Sequence, residues 1–437
     1  MEWWGSFMLI IGLVFLLIAI GLPVVFAFLL VDIVALWFYA GSGALWTVAT
    51  SSYTSIASYQ LAPIGLFMLM GEALYHTGMV DLVMEVVDKW LGSFRARYYI
   101  VAIVTGTILA AMTGVSIAVV AMLGVILAPV MIKRGYDKML TLGTVLSSGT
   151  MAAIIPPSSL AVLYGSLAQV SIGGMLVGGV LPGCLLSAFY IVYVLIRVKR
   201  NPSLAPPPQP SGLSLAGKLK ASLTLLPFLF IIFSVVGVIS LGICTPTESA
   251  AAGALSCYIV AALFGRLTWS RVKASFVTTT KIFGIIYFIF VGSTCFSQLL
   301  SITGIAAGFA EFASHLKLSP VLLFIVFQIV VWILGMLIDQ VSIMMITIPI
   351  FTPVINAVGI NPLHFGVVFL VNSVVGGKTP PFGLLTFTLA STYKETTIEE
   401  VFRSVMPFLA LDAVALAIMI FIPKICLFLP QVSGLVK

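Results

Sequence analysis

The sequence predicts an all-α polytopic membrane protein made of two inverted repeats, each holding a re-entrant helical hairpin and a broken helix. Three observations lead there. The 437-residue chain is 61% hydrophobic and 8% charged, with a mean hydropathy of +1.21, whereas a soluble domain is roughly one-quarter charged. Its apolar runs last about 20 residues, the length of a membrane-crossing helix, rather than the roughly ten alternating residues of a barrel strand. And a doubled proline occurs twice, as Pro156-Pro157 within residues 147–159 and as Pro380-Pro381 within residues 374–383.

Both doubled prolines interrupt apolar helical runs. Proline has no N–H, so the carbonyls of Ala152 and Ala153 lose their helical partners, as do those of Gly376 and Gly377. Unpaired backbone at membrane depth survives only where protein buries it or where it lines a cavity. Broken helices at corresponding places in two halves point to a transporter's binding site.

In chain order, residues 7–38 read as a first helix. With Glu2, no basic leader and too long an apolar run, it is a retained helix rather than a signal peptide. A polar, uncharged turn follows over 41–58, then a helix over 61–76 and a short helix over 79–91. The run 98–132 is broken by Met112-Thr113-Gly114-Val115-Ser116 and flanked by Arg95, Arg97, Lys133, Arg134 and Lys138, which predicts a re-entrant hairpin. The doubled-proline helix spans 139–169 and a crossing helix spans 173–196. The basic, proline-rich stretch that follows divides the chain into a first repeat (1–200), a cytoplasmic linker (201–217) and a second repeat (218–437).

The second half echoes the first at a spacing of roughly 225 residues. Thr77-Gly78 returns as Thr303-Gly304, Val115-Ser116 as Val341-Ser342, Pro129 as Pro353, Gly135 as Gly359, the doubled prolines as each other, and Pro182 as Pro407. An odd number of crossings per half makes these inverted repeats. The N-terminus is then periplasmic, the first hairpin opens from the cytoplasm, and the second opens from outside. Arg266, Arg271, Lys273 and Lys281 mark an interfacial helix. The net charge of +7 sits in loops, as the positive-inside rule requires, and implies no nucleic-acid partner. Cys184, Cys244, Cys257, Cys295 and Cys426 stand singly, as small hydrophobes.

Freed carbonyls and hydroxyls are hard oxygen ligands that suit Na⁺, while the half-helices after the prolines aim N-terminal dipoles at an anion. The Na⁺ candidates in the first half are Thr113, Ser116, Ala152, Ile155 and Pro157. Those in the second are Gly335, Asp339, Gly376, Thr379 and Phe382, and the anion candidates are Ser158, Ser159, Ser342 and Lys378. No cofactor is expected. With 14 acidic residues and three histidines, no carboxylate pair, metal cluster or Ser/His/Asp set emerges, which argues against an enzyme.

Thr245-Pro246-Thr247-Glu248-Ser249-Ala250-Ala251, Ile154-Ile155-Pro156-Pro157-Ser158, Ser171-Ile172-Gly173, Leu181-Pro182-Gly183, Ile360-Asn361-Pro362 and Thr379-Pro380-Pro381-Phe382-Gly383 together resemble the large membrane (M) subunit of TRAP transporters, the tripartite ATP-independent periplasmic carriers. The resemblance covers essentially the whole chain. It implies an elevator-type secondary transporter in the bacterial inner membrane, coupled to Na⁺. It also implies a small four-helix membrane subunit (Q) and a periplasmic binding protein (P) that delivers an organic acid: a C4-dicarboxylate, sialic acid, sugar acid or sulfonate. The rival reading is a stand-alone Na⁺/dicarboxylate carrier of the same superfamily, against which the Thr-Pro-Thr-Glu-Ser signature argues.

Two positions depart from the family pattern. Ala152 stands where a glycine is expected. Lys378 stands where a neutral residue is expected, and three readings of it remain open: it replaces a cation, contacts the anion, or snorkels to cytoplasmic water. Thr245-x-x-Glu248 reads as a capping box. Asp339 either touches the ion site or caps the second hairpin tip, Asp32 and Glu72 sit near an interface or in scaffold pairs, and Asp412 pairs within the scaffold.

Overall fold

The structure, a computed structural model, describes residues 3–41, 43–79, 94–113, 116–207, 226–315 and 318–436, with Leu82, Val86 and Leu223. Most of the short helix expected over 79–91 and most of the linker, 208–217, lie outside the described residues.

The N-terminal apolar run is two helices rather than one, α1 (Trp3–Ala19) and α2 (Val24–Ala40). The stop is local chemistry: Gly21 takes a φ of +92° that a side chain would resist, and Pro23 then caps α2. The pair is antiparallel, since the Tyr39 hydroxyl donates to Ser6 Oγ at 2.7 Å. The polar stretch expected as a turn is also helical, α3 (Gly43–Ile56). Hydroxyls of Thr47, Thr50, Ser51, Ser52 and Thr54 each donate to the carbonyl four residues back, so their polarity is satisfied inside the helix and needs no water.

After one 3₁₀ turn, α4 (Ala62–His76) continues the descent of α3. Together they run antiparallel to a single long helix, Trp269–Ile302, which rises about 51 Å at 1.5 Å per residue. The register is plain in three contacts: Ser51 donates to Gln298 at 2.7 Å, Gly65 abuts Phe283, and His76 Nε2 lies 3.4 Å from Thr278 Oγ1. Arg271, Lys273 and Lys281, expected in a separate interfacial helix, are the exposed first third of this one.

The first hairpin is α5 (Arg97–Thr113) and α6 (Ser116–Lys133). The first broken helix follows: α7 (Lys138–Gly149), a 3₁₀ turn over Thr150–Ala153, a cis Pro156-Pro157 bond, and α8 (Ser159–Ala168). Then come α9 (Ile172–Gly178) and α10 (Val180–Arg200). The linker's first residues dock at the base of the hairpin, where the Leu204 carbonyl accepts from Tyr99 Oη at 2.7 Å and from the Asp137 N–H at 3.0 Å.

The second half provides α11 (Leu226–Ser240), α12 (Pro246–Leu263), the long helix as α13, and α14 (Ile305–His315). A capping box opens α12 as the sequence predicts, with the Thr245 N–H donating to Glu248 Oε2 at 2.8 Å. The second hairpin is α15 (Pro320–Leu337) and α16 (Gln340–Ala357). The second broken helix is α17 (Pro362–Gly376), a cis Pro380-Pro381 bond, and α18 (Leu384–Thr392). The helices α19 (Ile398–Phe421) and α20 (Lys424–Val432) close the chain.

The repeat is visible residue by residue. Gly78 and Gly304 follow α4 and α13 with φ of +66° and +70°, Gly135 and Gly359 take +86° and +73°, and Asp137 and Asn361 cap α7 and α17. The broken helices run antiparallel, as inversion requires. Pro362 at the start of α17 shares a cavity wall with Ala168 at the end of α8, Tyr164 packs on Phe369 at 5.1 Å, and the far end of α17 meets the 3₁₀ turn that precedes α8.

Glycines set the tightest crossing. A Cβ on Gly376 would sit 2.6 Å from Gly335 Cα, and one on Gly335 would sit 2.8 Å from Gly376 Cα, a contact of the small-residue kind that lets membrane helices approach. Backbone cannot yield as a side chain can. Gly376→Ala is therefore expected to destabilise the purified protein by about 1–3 kcal/mol. Gly284→Ala, with nothing within 4 Å, should leave the thermal midpoint in detergent unchanged, and equal midpoints for the two variants would refute the crossing.

Candidate functional site

Five helices begin at one central cavity of about 380 Å³. Residues 23–25 open α2, 116–117 open α6, 159–160 open α8, 339–342 turn into α16, and Leu384 opens α18. Two of the starts carry side-chain caps. Ser158 Oγ accepts from the Ala161 N–H at 3.2 Å and donates to the Ala153 carbonyl at 2.8 Å. Asp339 accepts from the N–H groups of Val341 and Ser342 at 3.0 and 3.1 Å and from the Ser342 hydroxyl. Gly383 enters α18 at a φ of +46°, where a Cβ would meet Thr386 Oγ1 at 2.8 Å.

The cavity has two faces. One is polar, with the hydroxyls of Ser116 and Ser159, 2% and 5% exposed, lacking a hydrogen-bond partner among the described residues. The other is the apolar wall of α13, Ile282, Ile285, Ile286 and Ile289, extended by Met68 of α4. Buried hydroxyls without partners are uncommon, because each leaves a desolvation cost uncompensated. A ligand bearing hydrogen-bonding groups would satisfy them.

Of the residues the sequence selected, Ser116, Ser159, Asp339 and Ser342 meet here. Of the two readings of Asp339, the structure shows the cap on the hairpin tip. Thr113 ends α5, and its side chain lies outside the described residues. Several others are brought elsewhere. Ser158 is turned to its cap and does not line the cavity. Thr379 is spent twice over, accepting from the Trp332 indole at 3.1 Å and donating to the Val375 carbonyl at 2.7 Å. Gly335 and Gly376 form the close crossing. Ile155 packs against Gly183, Pro157 is buried beside the cis bond, and Phe382 is 57% exposed, all away from the cavity lining.

The carbonyls freed by proline are largely rebonded. Ala153 O takes the Ser158 hydroxyl, Gly376 O takes the Thr379 N–H at 2.9 Å, and Gly377 O takes the Leu385 N–H at 2.9 Å. Among the described residues no such replacement reaches the Ala152 carbonyl. The first break thus retains an open oxygen that the second lacks.

Lys378 is settled by geometry. It is 0% exposed, its Nζ lies 2.8 Å from Asp412 Oδ2 and donates to Tyr190 Oη at 3.0 Å, while Tyr190 in turn donates to Asp412 Oδ1. It neither lines the cavity nor reaches water, so the anion-contact and snorkelling readings both fail. Asp412, expected to pair within the scaffold, pairs with the broken helix instead. The sequence analysis missed this match and with it Tyr190. The signal was there: one lysine and one aspartate, each alone in an apolar helix, need each other.

Two further cavities flank the central one. A space of about 550 Å³ beside α6 is lined by Glu72 and His76, paired at 3.3 Å, and by Thr392. A space of about 490 Å³ beside α16 is lined by Ser166, Gln169, Ser293 and Asn356. Thr392 and Ala168, which line one cavity each, occupy matching repeat positions, so these cavities are counterparts on the two hairpins. Asp32 is fully buried in α2 with both carboxylate oxygens unpartnered, which does not bear out a scaffold pair.

Residues 11–425 match the family described as "Tripartite ATP-independent periplasmic transporter, DctM component". The chain is 29% identical to the C4-dicarboxylate TRAP transporter large permease protein DctM of Pseudomonas aeruginosa, over 89% of this chain and 90% of that protein. It is 27% identical to the Rhodobacter capsulatus DctM, over 98% and 100%, and 25% identical to the ectoine TRAP transporter large permease protein TeaC of Halomonas elongata, over 95% and 97%. Among solved structures, the fold is similar to the YdaH transporter of Alcanivorax borkumensis, with a TM-score of 0.62 at 14% identity over 87% of this chain and 88% of that one. It is also similar to MtrF of Neisseria gonorrhoeae, with a TM-score of 0.58 at 15% identity over 87% and 84%.

The buried pair makes a direct prediction. Asp412→Asn strands the Lys378 ammonium and should destabilise the protein by about 3–5 kcal/mol, whereas Lys378→Met combined with Asp412→Leu should recover most of that loss. Thermal unfolding in detergent separates the cases. An unchanged midpoint for Asp412→Asn would be incompatible with a buried ionised pair.

Proposed function

This chain belongs to the DctM component family of the tripartite ATP-independent periplasmic transporters, and on that premise we propose that it carries an organic acid anion into the cytoplasm, driven by a Na⁺ gradient. The observation that carries this reading is the central cavity where five helix N-termini meet two serine hydroxyls without partners among the described residues. Aligned helix starts favour negative charge with no need for a basic side chain. A carboxylate there accepts from Ser116 and Ser159.

For Na⁺, the supporting groups are Asp339, Ser342 and the open carbonyl of Ala152, since hard oxygens suit a hard cation. The elevator motion is supported by the division of faces. The isoleucine wall belongs to α13 and holds no hydrogen bonds to the hairpin tips that sliding would break. The two flanking cavities, one per hairpin, then serve as inner and outer approaches.

The setting proposed is the bacterial inner membrane, with the repeats divided at the linker 201–217, a small four-helix subunit alongside, and a periplasmic binding protein as donor. The relatives named for C4-dicarboxylates and ectoine support a small charged organic substrate. In proteoliposomes with both partners, uptake of radiolabelled organic acids should require the binding protein and an inward Na⁺ gradient. Uptake indifferent to the binding protein would instead favour a stand-alone carrier. Ser116→Ala and Ser159→Ala should each lower uptake about ten-fold, the value of one hydrogen bond to a charged group, without changing the thermal midpoint. Normal uptake by the double variant would remove the serines from the site.

A further inference from the structure

We infer that the acid carried has one carboxylate and a compact apolar body, and is neither a polyhydroxylated sugar acid nor a dicarboxylate. The inference rests on the transport reading of the central cavity. Its first support is charge. Among the described residues no lysine, arginine or histidine lines the cavity, and Gly114 and Val115, the hairpin-tip residues outside the described set, are uncharged. Positive potential comes from the five helix starts at about half an elementary charge each, and one of them, that of α16, is already matched to the Asp339 carboxylate. One carboxylate is held at these starts; a second, carried on the far side of the molecule, would face the α13 wall with no basic side chain among the described residues to partner it.

The second support is where the polar groups stand. Ser116, Ser159, Asp339, Gln340 and Ser342 come from the hairpins and half-helices, while the opposing face is Ile282, Ile285, Ile286 and Ile289 with Met68. A carboxylate held at the polar face turns the rest of the molecule to this wall. Alkyl or aryl carbon is at home there. Each hydroxyl facing it gives up its water without a replacement partner, a discrimination of about 10–100-fold per group.

The test uses the purified chain with its small membrane subunit in Na⁺ buffer, without the binding protein, whose own selectivity would otherwise intrude. The readout is the thermal midpoint with 4-methylpentanoate, succinate or gluconate at matched concentrations. The expected result is stabilisation by 4-methylpentanoate at concentrations at least about ten-fold below those of the other two. Ile285→Ser, at a wall position already 57% exposed and so tolerant of change, should shrink that margin without shifting the ligand-free midpoint. If succinate or gluconate stabilises as well as 4-methylpentanoate, the inference falls and the transport reading stands. If none stabilises and the reconstituted tripartite system also takes up no acid, both fall.

Discussion

Hydrocarbon offers backbone no hydrogen bonds, and the rest of this structure depends on how it meets that constraint. Doubled prolines at two matching places remove N–H groups where water cannot substitute. The chain answers locally. A serine hydroxyl, a threonine N–H and a leucine N–H take up three of the four released carbonyls, and each break is wedged against the other half of the molecule. The consequence is geometric: breaking a helix produces a new helix start at mid-membrane, and inversion of the repeat brings two such starts to one cavity. The hairpins add two more. A binding face for charge is thereby made from backbone, with little ionised side chain to desolvate.

That economy explains where the ionised groups do lie. Lys378 and Asp412 are fully buried away from the cavity, joined to each other and to Tyr190. Their pairing ties the break of the second broken helix to α10 and α19. The scaffold side has the opposite character. Isoleucines on α13 meet the cavity through dispersion and shape alone, which is non-directional. A rigid polar face against a smooth apolar one can be displaced without breaking directional bonds, which any motion of one body past the other requires.

Much of this architecture was legible in the sequence because the deciding signals are local. Glycine and proline placement gives the breaks, the repeat register and the helix caps. The doubled prolines gave both broken helices, and Thr245-x-x-Glu248 gave its capping box. Errors fell where a local signal was outweighed by another. Residues 7–38 look continuous by hydropathy, yet Gly21-x-Pro23 is itself a stop and start. The serines and threonines of α3 look like a turn, but their hydroxyls bond back into the helix. Site residues were legible only where a helix start fixes the side chain, as at Ser116, Ser159, Asp339 and Ser342. Thr379, Gly376 and Gly335 were selected for the right neighbourhood, but whether a carbonyl stays open depends on donors such as the Leu385 N–H and the Trp332 indole, whose arrival is a matter of packing. The α13 wall left no motif, since isoleucines facing a cavity and isoleucines facing lipid read alike.

The two breaks are related by the repeat but not by their chemistry, and that asymmetry bears on coupling. In the register that aligns Pro156-Pro157 with Pro380-Pro381, Lys378 is the counterpart of Ile154 and Gly376 the counterpart of Ala152. At the second break a covalently attached ammonium already supplies positive charge, and the adjacent carbonyls are bonded. At the first break the counterpart of Lys378 is the uncharged Ile154, and the Ala152 carbonyl, unlike that of its counterpart Gly376, has no replacement donor among the described residues, where Ser116 and Ser159 also lack partners. A mobile cation has something to complete at the first break and nothing to add at the second. On the proposed reading, the cation demand of the cycle therefore belongs to the first repeat and the second hairpin tip, where Asp339 stands. The fold keeps its twofold symmetry in backbone and gives it up in ion binding.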